Sequence, residues 1–188
     1  MFKKILLTLL LATSPAYAEV VEILVQHTET TYSSGSGTVI KNFVLTNEHV
    51  IEDGEKVFIL YKGEKRVFEV VYTNKKNDLA ILAGDTKGMK SYGLVDKILG
   101  RAKAIGYMDG QKHYTEGEYA TLGSDSILYT GSVYRGQSGG PLIDEETKNV
   151  VGIISMAVFG SESCLPYGAI IVPTVKIHKA LETINKGL

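Results

Sequence analysis

The sequence predicts an all-β protein, a barrel or a sandwich, and the number of strands fits two six-stranded antiparallel β-barrels followed by a C-terminal α-helix. Three observations predict this fold class. The apolar runs are short and rich in β-branched residues, turn residues separate them, and one segment near the end has apolar residues at helical spacing. The 188 residues contain 20 glycines and 4 prolines, a composition that suits tight turns between strands. Hydrophobic residues make up 44% of the chain, which is enough for an ordinary packed core.

Twelve segments have the length and composition of strands and are separated by turns rich in Gly, Asn and Asp. They are 20–25, 37–40, 43–46, 56–61, 65–72, 79–82, 102–107, 117–122, 126–130, 141–143, 150–156 and 169–172. We expect the boundary between the barrels near Met89 to Leu99, which gives lobes of about 19–95 and 96–173.

Two segments depart from the strand pattern. Thr46–Ile51 is expected to form one helical turn capped by Asn47. The segment 174–186 follows Pro173, precedes Gly187 and carries apolar residues at helical spacing. This spacing predicts the C-terminal helix.

The N-terminus has the form of a secretory signal peptide, residues 1–18. A basic start is followed by the apolar run Ile5–Ala12 and by the small residues of Ala16-Tyr17-Ala18. We therefore expect an exported protein whose mature chain begins at Glu19. No later segment approaches the ~18 apolar residues that a spanning helix needs, so no membrane span is predicted after removal of the signal.

Charge and cysteine content exclude several classes of function. The net charge of −1 predicts no binding to nucleic acid. The lone Cys164 cannot form an internal disulfide. No ligand cluster or phosphate-binding loop is visible, and we predict no metal site and no cofactor.

The segment 136–142, Gly-Gln-Ser-Gly-Gly-Pro-Leu, is the strongest chemical signal. Glycines around Ser138 allow a tight turn that projects the hydroxyl as a nucleophile. The N–H groups of Gly136 and Ser138 could then converge as an oxyanion hole. The alternative is a Gly-rich turn between two strands.

A serine nucleophile needs a base, and the candidates are four histidines. His27, His113 and His178 lie in polar segments or on a helix face and are expected at the surface. His49 follows the apolar run 43–45 and has apolar neighbours, so it is the favoured general base.

The carboxylate that orients the imidazole is predicted to be Asp78. It directly abuts the apolar run 79–82, where an unpaired charge would be costly. The alternative is a solvated aspartate at the start of a strand.

Four motifs now resemble the chymotrypsin-like serine peptidases, above all their bacterial HtrA/Deg branch. They are Thr-Asn-x-His-Val, Asn-Asp-Leu-Ala-x-Leu, Ala-Ile-Gly-Tyr and Gly-Gln-Ser-Gly-Gly-Pro-Leu, within Ser33–Val172. The order His, Asp, Ser is also the order of that family. The resemblance implies catalytic roles for His49, Asp78 and Ser138, and oxyanion binding by Gly136 and Ser138.

The resemblance also implies how a polypeptide substrate binds. The segment 151–157 resembles the strand to which an extended peptide adds as a further strand. The implied pocket for the side chain before the scissile bond (P1) has a base near Ser132 and Val133, and its walls are Ser155, Met156, Ala157 and Gly168. None of these residues is acidic, so a neutral P1 residue is expected, small to medium or aromatic.

The sequence departs from the family pattern at three places. Gln137 stands where digestive relatives carry an aspartate that pairs with a new N-terminus, so activation by N-terminal insertion is not expected. Tyr134 and Arg135 form a bulky pair before the predicted oxyanion hole and could block or reshape it. The end at Leu188 is expected to leave no room for a PDZ domain.

These observations predict a serine endopeptidase that works outside the cytoplasm through an acyl-enzyme. Three alternatives remain open at this level. They are a catalytically silent peptide-binding protein, an esterase on the same scaffold, and an enzyme that stays latent until a partner orders its loops.

Overall fold

A computed structural model describes residues 19–123, 125–159 and 166–187. The predicted signal peptide and Cys164 lie outside these residues. The first six strands are β1 Val20–Gln26, β2 Tyr32–Ile40, β3 Phe43–Thr46, β4 Lys56–Tyr61, β5 Glu64–Asn74 and β6 Leu79–Gly84. The next six are β7 Leu99–Met108, β8 Gln111–Leu122, β9 Ser126–Tyr129, β10 Pro141–Asp144, β11 Val150–Phe159 and β12 Pro166–Pro173. The helices are α1 Glu48–Ile51 and α2 Thr174–Gly187, with a 3₁₀ turn at Lys75–Asn77.

The twelve strands close into two antiparallel barrels, which confirms the predicted fold class. The strand order is β1-β2-β3-β6-β5-β4 in the first barrel and β10-β11-β12-β9-β8-β7 in the second. The largest differences from the predicted bounds are at β2 and β8, which begin much earlier than their apolar patterns indicate, at Tyr32 and Gln111. Both early segments are polar hairpin arms, and their strand conformation is set by backbone pairing with β1 and β7.

The core has three parts, one inside each barrel and one between them. Strand β6 contributes to two of these parts. Ala80 and Leu82 face the interior of the first barrel, whereas Leu79 and Ile81 pack between the barrels. Burial on both faces explains why this strand is a continuous apolar run. Helix α2 closes the inter-barrel core with Ile177, Ala180 and Leu181.

The two helices lie where the sequence predicts them, but the cap of α1 differs. Asn47 occupies the N-cap position without a side-chain capping bond. Its Nδ2 donates instead to the Asp78 carbonyl at 2.8 Å. The predicted N-cap position is confirmed, but the predicted capping bond does not form, and the Nδ2 group of Asn47 joins α1 to the loop before β6. In the part of the chain that the structure describes, no helix has the length and apolarity needed to cross a lipid bilayer.

Candidate active site

His49 and Asp78 meet at the rim of the first barrel. His49 lies on α1, directly after β3, and Asp78 ends the 3₁₀ turn before β6. His49 Nδ1 is 2.9 Å from each carboxylate oxygen of Asp78. The His49 backbone N–H also donates to Asp78 Oδ1 at 3.2 Å. Asp78 takes the left-handed φ of 48°, a conformation that aspartate tolerates better than most residues.

The pair is electrostatically coupled although it is open to solvent. The side chains of His49 and Asp78 are 47% and 25% exposed. The hydrogen bond that His49 donates to Asp78 raises the pKa of His49, against the opposing effect of desolvation. Burial alone would raise the pKa of Asp78, but hydrogen bonds from His49 and Ser155 outweigh it and hold that pKa below its ordinary value.

Ser155 links this pair to Ser138. Its hydroxyl donates a short hydrogen bond to Asp78 Oδ2, and its carbonyl accepts from Ser138 Oγ at 3.5 Å. Ser155 lies at a bulge in β11, where the pairing with β12 shifts between Ile154 and Met156. The sequence predicted Ser155 only as a pocket wall. Its bond to the carboxylate was missed because only the fold brings β11 next to the loop before β6.

Ser138 lies in a turn that depends on glycine. Gly136 and Gly139 have φ values of +95° and +85°, which side chains disfavour. A Cβ at Gly139 would lie 2.0 Å from the Ser36 carbonyl oxygen. Among the described residues, no hydrogen bond joins Ser138 Oγ to His49, and the serine hydroxyl points to Ser155 in this state.

The N–H groups of this turn divide into two sets. Those of Gln137, Gly139 and Gly140 donate to the carbonyls of Tyr134, Ile154 and Gln137. Within the described residues, the N–H groups of Gly136 and Ser138 have no acceptor. These two are the donors that the sequence assigned to an oxyanion hole.

A pocket of about 310 Å³ opens beside Ser138. Of the six predicted P1-pocket residues, Val133, Ser155 and Ala157 line it. The other three, Ser132, Met156 and Gly168, are not among its lining residues. Ser132 donates to the Pro166 carbonyl at 3.0 Å, Gly168 packs against the Tyr129 carbonyl, and Met156 is 63% exposed.

Five lining residues were not predicted for the pocket. They are Tyr134, Arg135, Ile154, Phe159 and Pro166. Tyr134 and Arg135 were expected near the oxyanion hole, and the structure places them on the pocket wall as well. Phe159 and Pro166 come together because β11 and β12 pair there, a contact without a local sequence signal. Among the described residues, no group of three or more His, Cys, Asp and Glu is placed to hold a metal ion.

Comparison with known proteins assigns the family. Residues 35–153 match the family described as the trypsin-like peptidase domain. The chain belongs to this family. The match covers the segments that carry His49, Asp78 and Ser138, and it confirms the resemblance to the chymotrypsin- and trypsin-like serine peptidases found in the sequence.

Relatives of this trypsin-like peptidase domain are longer proteins. A probable periplasmic serine endoprotease, DegP-like, from Chlamydia muridarum is 26% identical over 167 residues, which cover 80% of this chain and 33% of the relative. The chain thus spans about a third of that relative's length.

Solved structures share the fold of this domain. The serine endoprotease from Yersinia pestis superposes with a TM-score of 0.76 at 23% identity, over 89% of this chain and 63% of the other. The HtrA-type protease AlgW with a tripeptide superposes with a TM-score of 0.78 at 24% identity, over 90% and 60% of the two chains.

Proposed function

We propose that this domain is a serine endopeptidase with Ser138 as nucleophile, His49 as general base and Asp78 as the orienting carboxylate. The observation that carries the proposal is the connection through Ser155, which joins the hydrogen-bonded His49–Asp78 pair to the Ser138 hydroxyl. Family membership and the two unpaired N–H groups beside Ser138 support the same reaction.

The proposed reaction is acyl transfer in two steps. Ser138 Oγ rotates from Ser155 to His49, attacks the peptide carbonyl and gives its proton to Nε2. The N–H groups of Gly136 and Ser138 hold the oxyanion, and the His49 imidazolium then protonates the departing amine. Water, deprotonated by His49, hydrolyses the ester and releases Ser138.

The proposed substrate is a polypeptide that adds to the free edge of β11. On one side β11 pairs with β12 as far as Phe159, whereas on the other side β10 pairs only up to Ile153. On that second side the carbonyl and the N–H of Ile154 still bond to Gly139 and Gly140. Beyond Ile154 no described strand occupies that side, so main-chain donors and acceptors remain for an extended peptide. The tripeptide in the AlgW structure is a ligand of this kind in a protein of the same fold.

The pocket beside Ser138 supports an uncharged, apolar P1 residue. Among the residues that the structure describes, the lining is mostly apolar and includes no carboxylate, and Arg135 is the one charged side chain in it. A P1 lysine or arginine would meet a like charge without a counterion, which is unfavourable. We therefore propose small to medium or aromatic P1 residues.

We further propose that the protein acts outside the cytoplasm. The predicted signal peptide at residues 1–18 supports export, and the Chlamydia relative is described as periplasmic.

Labelling with a fluorophosphonate tests the catalytic assignment. We expect the wild-type chain, residues 19–188, to be modified at Ser138, located by mass spectrometry, and Ser138→Ala to remain unlabelled while keeping its melting temperature. Ser132→Ala, which removes another serine near the pocket, is the matched control and should still be labelled. A folded wild-type protein that does not react would contradict the proposal and favour the silent peptide-binding alternative.

A further inference from the structure

Ser36 is a buried residue of the first barrel that reaches the nucleophile turn of the second. It lies on β2 and is completely inaccessible to solvent. Its hydroxyl accepts from the Tyr107 N–H at 2.7 Å and donates to the Gly136 carbonyl at 2.7 Å. One hydroxyl thus joins β2, β7 and the turn that carries Ser138.

The backbone of Ser36 makes two further bonds in the same place. Its N–H donates to the Ser138 carbonyl at 2.8 Å, and its carbonyl accepts from Thr46 Oγ1 at 2.8 Å. The hydroxyl and both main-chain groups of Ser36 are therefore engaged, which strongly restricts its orientation.

The bonds of Ser36 alternate with the unpaired N–H groups along the turn. Each peptide plane holds the carbonyl of one residue and the N–H of the next. Ser36 bonds to the carbonyls of Gly136 and Ser138 and so fixes the two peptide planes that contain them. The N–H groups of the same two planes belong to Gln137 and Gly139. They donate to the carbonyls of Tyr134 and Ile154. The unpaired N–H groups of Gly136 and Ser138 belong to the planes that immediately precede these two, 135–136 and 137–138.

We propose that Ser36 is a positioning residue that orients the N–H groups of Gly136 and Ser138 toward the oxyanion. This inference rests on the proposed serine peptidase function. Without the hydroxyl, the Gly136 carbonyl would lose its partner at a glycine whose φ of +95° leaves it free to change conformation. Rotation of that residue would move the adjoining N–H away from the reaction centre.

The space around Ser36 is shaped for this contact. A Cβ at Gly106 would lie 2.7 Å from Ser36 Oγ and 2.7 Å from Gln137 Cα. Glycine at position 106 therefore lets the hydroxyl and the turn approach β7 closely.

The test compares Ser36→Ala with the wild-type protein on a fluorogenic peptide that has an apolar P1 residue. We expect kcat to fall roughly 10- to 100-fold, because oxyanion donors act in the transition state, while KM changes by less than about threefold. The midpoint of the acid limb of the pH–rate profile should not move, since the His49–Asp78 bond is untouched. The rate of fluorophosphonate labelling should fall with kcat.

Tyr119→Phe is the matched control for loss of a buried hydroxyl. Tyr119 donates to Asp144 inside the second barrel and makes no contact with the nucleophile turn. We expect this variant to lose as much thermal stability as Ser36→Ala and to keep the wild-type kcat. If Ser36→Ala does not fold, Ser36→Cys retains side-chain volume and only a weak donor, and its kcat should fall roughly 3- to 30-fold.

Two results separate this inference from the function on which it rests. A wild-type protein that is never labelled at Ser138 would contradict the peptidase assignment itself. A labelled wild-type protein whose Ser36→Ala or Ser36→Cys variant folds and keeps kcat within about twofold would overturn only the role of Ser36.

Discussion

The His49 imidazole places Nδ1 between both oxygens of Asp78, and this contact determines which nitrogen remains available as a base. A carboxylate accepts, so Nδ1 carries the proton and Nε2 is left as an acceptor. Asp78 is in turn held by the hydroxyl of Ser155 and the N–H of His49. The proposed base is therefore fixed in one tautomer before substrate binds.

Asp78→Asn tests this arrangement. We expect kcat to fall by about 10⁴-fold, because an amide stabilises the wrong tautomer. Asp78 raises the pKa of His49 in the wild-type protein, so activity should decline as pH falls through a midpoint above the ordinary histidine value. In the variant this midpoint should move to lower pH.

The control for that experiment is Asp85→Asn, an exposed aspartate that pairs loosely with Arg66 at 3.8 Å. It should leave the pH–rate profile unchanged. Near-normal kcat in Asp78→Asn, or a rate constant that is flat across the histidine range, would show that Asp78 and His49 do not have the proposed roles.

At the scale of elements, the end of β11 combines two features of the site. Its bulge at Ser155 directs a hydroxyl to Asp78. Beyond Ile154, one edge of the strand has no described partner strand and leaves main-chain groups for an added peptide. The same strand continues to Ala157 and Phe159, which line the pocket. One strand thus combines main-chain recognition with side-chain selection.

A set of synthetic peptides tests both functions of β11. An added strand pairs through alternate amides, so N-methylation scanned along the residues before the scissile bond should raise KM at alternate positions only. Peptides with apolar P1 residues should be cleaved faster than those with Lys or Asp. A uniform effect of N-methylation, or preferred cleavage after Lys, would contradict strand addition and the apolar pocket respectively.

At the scale of the whole molecule, the second barrel contains a buried charge away from the site. Asp144 is fully buried and accepts from Tyr119, Lys97 and the Thr147 N–H at 2.8–3.0 Å. Burial alone would raise the pKa of Asp144. Hydrogen bonds from the Thr147 N–H and from Lys97 outweigh the effect of burial and lower the pKa of Asp144 to about 2. The ionised form is therefore the one that the fold stabilises.

This network predicts the acid stability of the protein. A depressed carboxylate pKa contributes stability that is complete above the unfolded value and disappears as pH falls through about 2. The contribution is about 2 kcal/mol at neutral pH. Asp144→Asn should lower the free energy of unfolding by about this amount at pH 7 and by little at pH 2, measured by chemical denaturation, without a change in kcat.

Glu146→Gln is the matched control for Asp144→Asn. Glu146 contacts the same lysine, but its side chain is 81% exposed, so its substitution should cost less than about 1 kcal/mol. Equal losses in the two variants, or a loss for Asp144→Asn that does not depend on pH, would contradict the role given to Asp144.

Much of the fold could be predicted from local pattern, and the reasons are visible in particular strands. The strands β3 and β4 have the predicted bounds, because each is mostly apolar and lies between turn residues. The early parts of β2 and β8 could not be found this way, since polar hairpin arms become strands only through pairing. Asp144 follows an apolar run just as Asp78 precedes one, and the sequence offered no means to recognise that it is fully buried.

The sequence by itself determined the two barrels, the C-terminal helix and the residue types that a serine peptidase requires, because turn glycines and apolar periodicity act locally. Only the tertiary structure decided which groups meet. Ser155 donates to Asp78, Ser36 holds the Gly136 carbonyl, and Phe159 joins Pro166 at the pocket. The residues in these contacts are distant along the chain. They meet only because the strands pair into closed barrels and the two barrels pack against each other.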